Sequence, residues 1–226
     1  MNRGALKIIG FGLAVLLATG VYAGLRERAE QKRTMRSLLD SIATMKQQND
    51  TREAALQARF DQINVDRYLQ AGKLASSGDI VDGRAELARY RAMLVERDKL
   101  VDQEQAEFKA MLNALPEGKF REQVLLGAAK AEDGNRKLRA ALARAQVANA
   151  DAVQAVFDWA DRNHAIVHAR GTSLVVTGQA PLNEFNVLEG RVHETGEAVN
   201  ESIRRVGAVQ SKSVKDLARL RRNADE

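Results

Sequence analysis

An apolar residue recurs at every seventh position through the middle of this chain. The positions are Leu87, Leu94, Val101, Phe108 and Leu115. A strict seven-residue period keeps the apolar stripe of an α-helix turned toward a partner helix and is typical of left-handed supercoiling. The segment from about residue 84 to 115 is therefore predicted to be a long helix that packs against another helix.

Charged residues interrupt this apolar stripe. Tyr90 and Met111 fill intermediate positions of the stripe, whereas Arg97 and Glu104 stand where an apolar residue is expected. A helical bundle can bind a small molecule between its helices, and a charged side chain within the packed stripe could orient it. Arg97 and Glu104 are therefore candidate ligand-orienting residues.

A second long helix is predicted from about residue 27 to 70. Met35, Leu38, Ile42 and Met45 step by three and four residues, which is the spacing of one helical face. Asn49 and Arg52 then interrupt the stripe before it resumes. Polar residues in a packed stripe can set register or partner choice at some cost in stability. The alternative, which the sequence favours, is a short stretch where this helix faces water.

Further apolar stripes predict helices over about 119–162 and 181–221. Pro116, Glu117 and Gly118 separate the helix over 84–115 from the helix over 119–162, and they predict a reversal into an antiparallel hairpin. The sole tryptophan, Trp159, is expected to close one end of the bundle, with its ring buried and its indole N–H bonded to a partner.

Two segments break the helical pattern. Residues 72–83 are rich in turn formers, and Asp79 or Asp82 could cap the helix that follows. Residues 163–178 contain two β-prone runs around a turn, which predicts a small hairpin lying against the helices. The fold class predicted is all-α, namely an elongated antiparallel helical bundle with coiled-coil hairpins and a short β-prone insertion.

The N-terminus carries an uncharged apolar run, residues 8–25, after Arg3 and Lys7. Its length is at the lower edge of what crosses a bilayer and is long for a signal-peptide core. Residues 1–25 are therefore predicted to be a membrane anchor or signal peptide, and residues 26–226 a helical domain. Val21-Tyr22-Ala23 has small or permitted residues at the positions that a signal peptidase requires, so cleavage after Ala23 is possible.

The orientation of this segment leaves three alternatives. Basic residues follow the apolar run at once, and the positive-inside rule counts them in favour of a cytoplasmic C-terminal side. The interpretation preferred is an uncleaved single-pass anchor in the inner membrane with a periplasmic domain. The second is a soluble periplasmic protein cleaved near Ala23, and the third is a cytoplasmic domain on a reversed anchor.

The residue types that carry chemistry form no recognisable site. Cysteine is absent, which excludes disulfides, thiolate metal sites and a cysteine nucleophile. His164 and His168 are four residues apart and His193 is remote, but no established metal-ligand motif surrounds them. No catalytic, cofactor-binding or metal-ligating residue is predicted, no cofactor or small-molecule substrate is identified, and enzymatic activity is not expected.

The charge distribution gives little support for a nucleic-acid partner. The formal net charge is +5, spread over both signs. The chain ends in a basic stretch, and cations near a helix C-terminus complement the helix dipole. A surface that binds anionic lipid or nucleic acid is the alternative for this stretch, but nucleic acid is not the partner expected. The basic residues are Lys212, Lys215, Arg219, Arg221 and Arg222.

The C-terminal third resembles the DUF3053 family of bacterial envelope proteins. The resemblance rests on Val156-Phe157-Asp158-Trp159, on the β-prone stretch ending at Gly178, and on Glu184-Phe185-Asn186-Val187-Leu188 at the start of the last helix. It implies an exported helical domain and no catalytic residue.

The function predicted is that of a membrane-tethered or exported structural or interaction protein of the bacterial cell envelope. Its partners are the membrane, through residues 8–25, and the helices of a homo-oligomer or of another envelope protein, through the heptad faces. The alternatives are a periplasmic ligand-sensing bundle, and a cytoplasmic-facing anchored protein with a basic C-terminal binding surface.

Overall fold

The computed structural model describes residues 29–225, with side chains for residues 33–212 and for Lys215. This part is an all-α helical bundle with five α-helices and one two-stranded sheet. The predicted anchor or signal peptide at residues 1–25 lies outside the described residues. Within residues 29–225, none of the helices combines the length and the apolar character needed to cross a membrane.

The elements follow one another with short connections. The helices are α1 (Ala29–Phe60), α2 (Ala71–Leu74), α3 (Ser77–Asn113), α4 (Lys119–Arg162) and α5 (Gln179–Asp225). A 3₁₀ helix, Val65–Leu69, precedes α2, and a second, His164–Ile166, follows α4. The strands are β1 (Val167–Arg170) and β2 (Ser173–Val176).

The first long helix is shorter than predicted, because it ends at Phe60 and not near residue 70. Asn64 ends the connection that follows: its side-chain oxygen accepts a hydrogen bond from the Arg67 backbone N–H at 3.3 Å. Asparagine competes for backbone groups in this way, which favours a new start over a continued helix. The buried Val65 and Tyr68 therefore belong to a separate 3₁₀ helix.

The next long helix begins earlier than predicted, at Ser77 and not near residue 84. The Ser76 hydroxyl accepts a hydrogen bond from the Asp79 N–H at 3.4 Å, so serine provides the cap predicted for Asp79 or Asp82. The Asp79 carboxylate instead accepts a hydrogen bond from Lys73 Nζ at 2.6 Å. Gly83, which the sequence placed in a turn, lies inside α3.

The described residues form two compact units, and the four long helices contribute to both. The first unit contains Gln57–Glu96 and Ala141–Ser202, and the second contains residues 29–56, Arg97–Ala140 and residues 203–225. Ion pairs show that α3 and α4 run antiparallel within each unit. They are Arg84–Asp158 and Arg91–Asp151 in the first unit, and Asp102–Arg139 and Lys109–Glu132 in the second.

Aromatic side chains dominate the core of the first unit. Phe60 and Tyr90 meet edge to face with ring centroids 6.0 Å apart. Trp159 is fully buried and lies 4.8 Å from the Phe185 ring. Its indole N–H has no hydrogen-bond partner among the described residues, so the prediction that this group finds a partner is wrong. The position of Trp159 is therefore fixed by the packing of its ring and not by a hydrogen bond from its N–H.

The segment predicted to be extended contains the two-stranded sheet. β1 pairs antiparallel with β2, with Val167 opposite Val176 and Arg170 opposite Ser173. Gly171 sits in the turn with φ +62°, a conformation that glycine adopts without strain. The sheet packs against α2, and Val167 is its buried residue.

The core of the second unit is mostly aliphatic. It joins one face each of α1, α3 and α4 into a single cluster of buried apolar side chains. The members are Met35, Leu38, Leu39, Ile42, Phe108, Leu112, Val124 and Ala128.

Candidate functional site: a buried polar layer between helices

Polar side chains interrupt the apolar packing of the second unit, and three of them lie on α1 and α3. Asn49 and Glu53 lie one turn apart on α1 and so share a face of that helix. Glu104 comes from the heptad stripe of α3. Asn49 and Glu104 are each only 3% exposed, and Glu53 is half-buried. These three residues are called the polar layer below.

The polar layer contains atoms without hydrogen bonds. Both amide atoms of Asn49, Oε1 of Glu53 and Oε1 of Glu104 are buried and have no partner among the described residues. A buried polar group left unsatisfied costs about 1–3 kcal/mol. The polar layer therefore lowers the stability of the isolated chain.

Burial also changes the protonation of the two acids. Burial raises the pKa of Glu104 to about 8; the charge of Glu53 adds to this shift and that of Arg52 opposes it. Burial likewise raises the pKa of Glu53 to about 7, with Asp50 adding and Lys46 opposing. At neutral pH Glu104 is mostly a neutral carboxylic acid, which can donate as well as accept a hydrogen bond.

An ion pair lies beside the polar layer. Arg52 Nη1 donates to both carboxylate oxygens of Glu107 at 3.0 Å, and Gln103 Nε2 donates to Glu107 Oε1 at 2.8 Å. The hydrogen bonds from Gln103 and Arg52 lower the pKa of Glu107. Glu104 and Glu107, one turn apart on α3, thus differ in charge at neutral pH.

The sequence predicted part of the polar layer. Glu104 is buried in the stripe, as its heptad position indicated. The favoured interpretation, that α1 faces water around Asn49 and Arg52, is wrong for Asn49, because that residue is buried. Arg52 lies at the edge of the polar layer. The burial of Glu53 was not predicted. The sequence does indicate it, since the three-and-four spacing of the α1 stripe continues through Asn49 and Glu53 to Leu56.

Arg97, the other charged residue in the stripe, is satisfied by its neighbour. It is 8% exposed, and its Nη2 and Nε atoms donate to Asp98 Oδ1 at 2.8 and 3.1 Å. The structure therefore pairs this charge locally within α3.

The three histidines do not come together. His164, His168 and His193 are all exposed, and His164 Nδ1 lies 3.0 Å from the Asp161 carbonyl oxygen. In the part of the chain that the structure describes, no group of three His, Asp or Glu side chains could hold a metal ion. Lys212 and Lys215 of the basic C-terminal stretch are exposed on α5. The side chains of Arg219, Arg221 and Arg222 lie outside the described residues.

The polar layer contains groups that can form hydrogen bonds and exchange protons. No protein-family model, curated protein or solved structure matches the chain. The functional interpretation therefore depends on the residues of this chain alone.

Proposed function

We propose that this protein is a helical structural or interaction protein of the bacterial cell envelope that binds partner helices through its heptad faces. Residues 8–25 tether it to the inner membrane with the helical domain in the periplasm, or direct its export before cleavage near Ala23.

The polar layer is the observation that carries this proposal. An apolar residue at Asn49 or Glu104 would pack between the helices without leaving buried groups unsatisfied. Polar residues at such positions lower stability, and their best-attested use is to fix register and partner choice between helices. If the packing of α1 against α3 opens, a partner helix that supplies donors and acceptors to Asn49 and Glu104 would recover the hydrogen bonds missing here.

The antiparallel packing of α3 and α4 supports the same proposal. The stripe residues Leu87, Leu94, Val101 and Phe108 are all buried. We infer that the long helices form coiled-coil hairpins, because this seven-residue recurrence is the pattern that keeps a stripe against a partner over several turns. In the isolated chain this stripe is covered by the chain's own helices, so a partner helix would bind it by taking the place of one of them.

Association of the purified full chain in detergent micelles tests the proposal. Sedimentation equilibrium would compare the wild type with the double variant Asn49→Leu/Glu104→Leu and with Lys99→Leu, an exposed change on the same helix. For a homo-oligomer, we expect a defined stoichiometry in the wild type and in Lys99→Leu, and an altered one in the double variant. Monomers under all these conditions would contradict the proposal.

The proposed compartment has a separate test. A topology reporter fused after Glu226, together with mass measurement of the mature N-terminus, distinguishes the three orientations. We expect periplasmic reporter activity. Cytoplasmic activity with an intact N-terminus would overturn the proposed orientation.

A further inference from the structure

A cleft of about 520 Å³ lies within the first unit, formed by the 3₁₀ helix before α2, by α2 itself, and by α4 and α5. Leu74, Val156, Phe185 and Val192 give it an apolar wall. Small-molecule sites combine such a wall with a few polar groups that fix the orientation of the ligand. The cleft has both properties, and the polar layer of the second unit plays no part in it.

Asp66 is the distinctive polar residue of the cleft. Its Oδ1 atom is buried and has no hydrogen-bond partner among the described residues. Burial raises the pKa of this carboxyl above its usual value. A carboxylate in this position would gain from a hydrogen-bond donor, and most from a positively charged one.

The cation beside Asp66 is engaged elsewhere. Arg67 Nη2 donates to the Tyr68 hydroxyl at 2.6 Å, and its guanidinium lies 4.5 Å from the centroid of the Tyr68 ring. Glu189 adds a second carboxylate to the lining from α5. The cleft therefore offers two acidic groups next to an apolar wall, and Arg67 and His193 also line it.

We propose that this cleft binds a small organic ammonium ligand, with the ammonium group on Asp66 and an apolar body against Phe185, Val156 and Val192. The ammonium group pairs with the Asp66 carboxylate, and Glu189 in the same lining adds attraction. The hydrocarbon body displaces water from the apolar wall, which is favourable in proportion to the area covered. This site is independent of helix-partner binding.

The single tryptophan gives a direct readout of binding. Phe185 lines the cleft and also lies against Trp159, so a ligand on Phe185 should alter the fluorescence of Trp159. The experiment titrates phenethylamine, cyclohexylamine and hexylamine onto the full chain, followed by fluorescence and calorimetry. Phenethyl alcohol, which has the same body as phenethylamine without the charge, is the matched control ligand.

We expect saturable binding of at least one amine, and binding of phenethyl alcohol about tenfold weaker or more, because one charged hydrogen bond corresponds to at least that factor. Asp66→Asn should weaken amine binding by a similar factor. Asp82→Asn, an exposed acid of the same unit, should leave it unchanged.

Glu189→Gln serves as a second variant, because Glu189 is exposed and its replacement does not threaten folding. It should weaken amine binding severalfold without changing the melting temperature. The proposal is overturned if none of the amines binds saturably. It is also overturned if the alcohol binds as well as the amine, or if both Asp66→Asn and Glu189→Gln bind like the wild type.

Discussion

The ring of Phe157 occupies the space that a side chain at Gly83 would need. An ideal Cβ at Gly83 would lie 2.7 Å from Phe157 Cζ and 2.9 Å from Tyr68 Cβ. Phe157 is fully buried on α4, and Tyr68 is buried on the 3₁₀ helix before α2. Gly83 therefore allows α3 to approach both elements closely.

Replacing Gly83 by alanine should destabilise the protein. The added methyl group forces Phe157 or Tyr68 to move, and overpacking of this kind costs about 1–3 kcal/mol. Gly134→Ala is the matched control, because Gly134 is also helical and has nothing within 4 Å of an added Cβ. That change should stabilise by about 0.5–1 kcal/mol through helix propensity. Urea denaturation of both variants measures the difference, and equal effects would contradict the packing described.

The stability of the protein should decrease as the pH rises above about 5. The pKa values of Glu53 and Glu104 are raised in the folded chain to about 7 and about 8, from an ordinary value of 4.5. Each acid binds its proton more tightly in the folded protein than in the unfolded chain. Its contribution to the free energy of unfolding is therefore complete below pH 4.5 and is lost as the pH rises through the pKa of the folded state. Urea denaturation between about pH 5 and pH 9 measures this slope.

Glu104→Gln isolates the contribution of one acid to that slope. Glutamine has nearly the same shape and does not ionise, so we expect this variant to lose less stability than the wild type between about pH 5 and pH 9. The dependence of stability on pH that remains in this variant should come largely from Glu53. Parallel curves for the two proteins would show that Glu104 ionises normally in the folded chain.

Apolar replacement of the polar layer should stabilise the isolated chain. Asn49→Leu and Glu104→Leu remove buried atoms that have no hydrogen-bond partner, and we expect each to raise the free energy of unfolding by about 1–3 kcal/mol. Lys99→Leu, an exposed change on α3, should have little effect. Differential scanning calorimetry measures all three. Destabilisation by both replacements would mean that the polar side chains are satisfied.

Arg84 connects α3 to two carboxylates of α4. Its Nη2 lies 2.8 Å from Asp158 Oδ1, and its Nη1 lies 3.0 Å from Asp161 Oδ2. Arg84→Lys keeps the charge but cannot reach both carboxylates with a planar fork. Because the groups are partly exposed, we expect a loss of no more than about 1 kcal/mol. Arg89→Lys, at a largely exposed site, should cost less by the same thermal measurement.

Local periodicity predicted the elements whose packing is also local and regular. The α3 stripe from Leu87 to Phe108 is buried, since a seven-residue repeat places those side chains on one face whatever the partner is. Leu115 is only half-buried, because α3 ends at Asn113 and no longer holds that residue on the stripe.

The residues that depend on distant neighbours could not be predicted in this way. Gly83 was interpreted as a turn residue because glycine is common in turns, while its actual role depends on Phe157, a residue far away in the sequence. The unsatisfied N–H of Trp159 depends likewise on which groups surround the ring. The cleft beside Asp66 joins elements from widely separated parts of the chain. Spacing along one helix carries no information on such neighbours.

Site-specific photocrosslinking in intact bacteria tests helix-partner binding most directly. A photoreactive residue would replace Gln103, which lies next to Glu104 and is exposed. The backgrounds compared would be the wild type, Asn49→Leu/Glu104→Leu and Lys99→Leu. We predict one discrete crosslinked species in the wild type. Mass spectrometry should show that the crosslink joins the position of Gln103 to one defined helical segment of the partner. Its yield should fall in the double variant and persist in Lys99→Leu. A chain that crosslinks only to itself within one molecule, or equally to the same partner in all three backgrounds, would contradict partner choice through the polar layer.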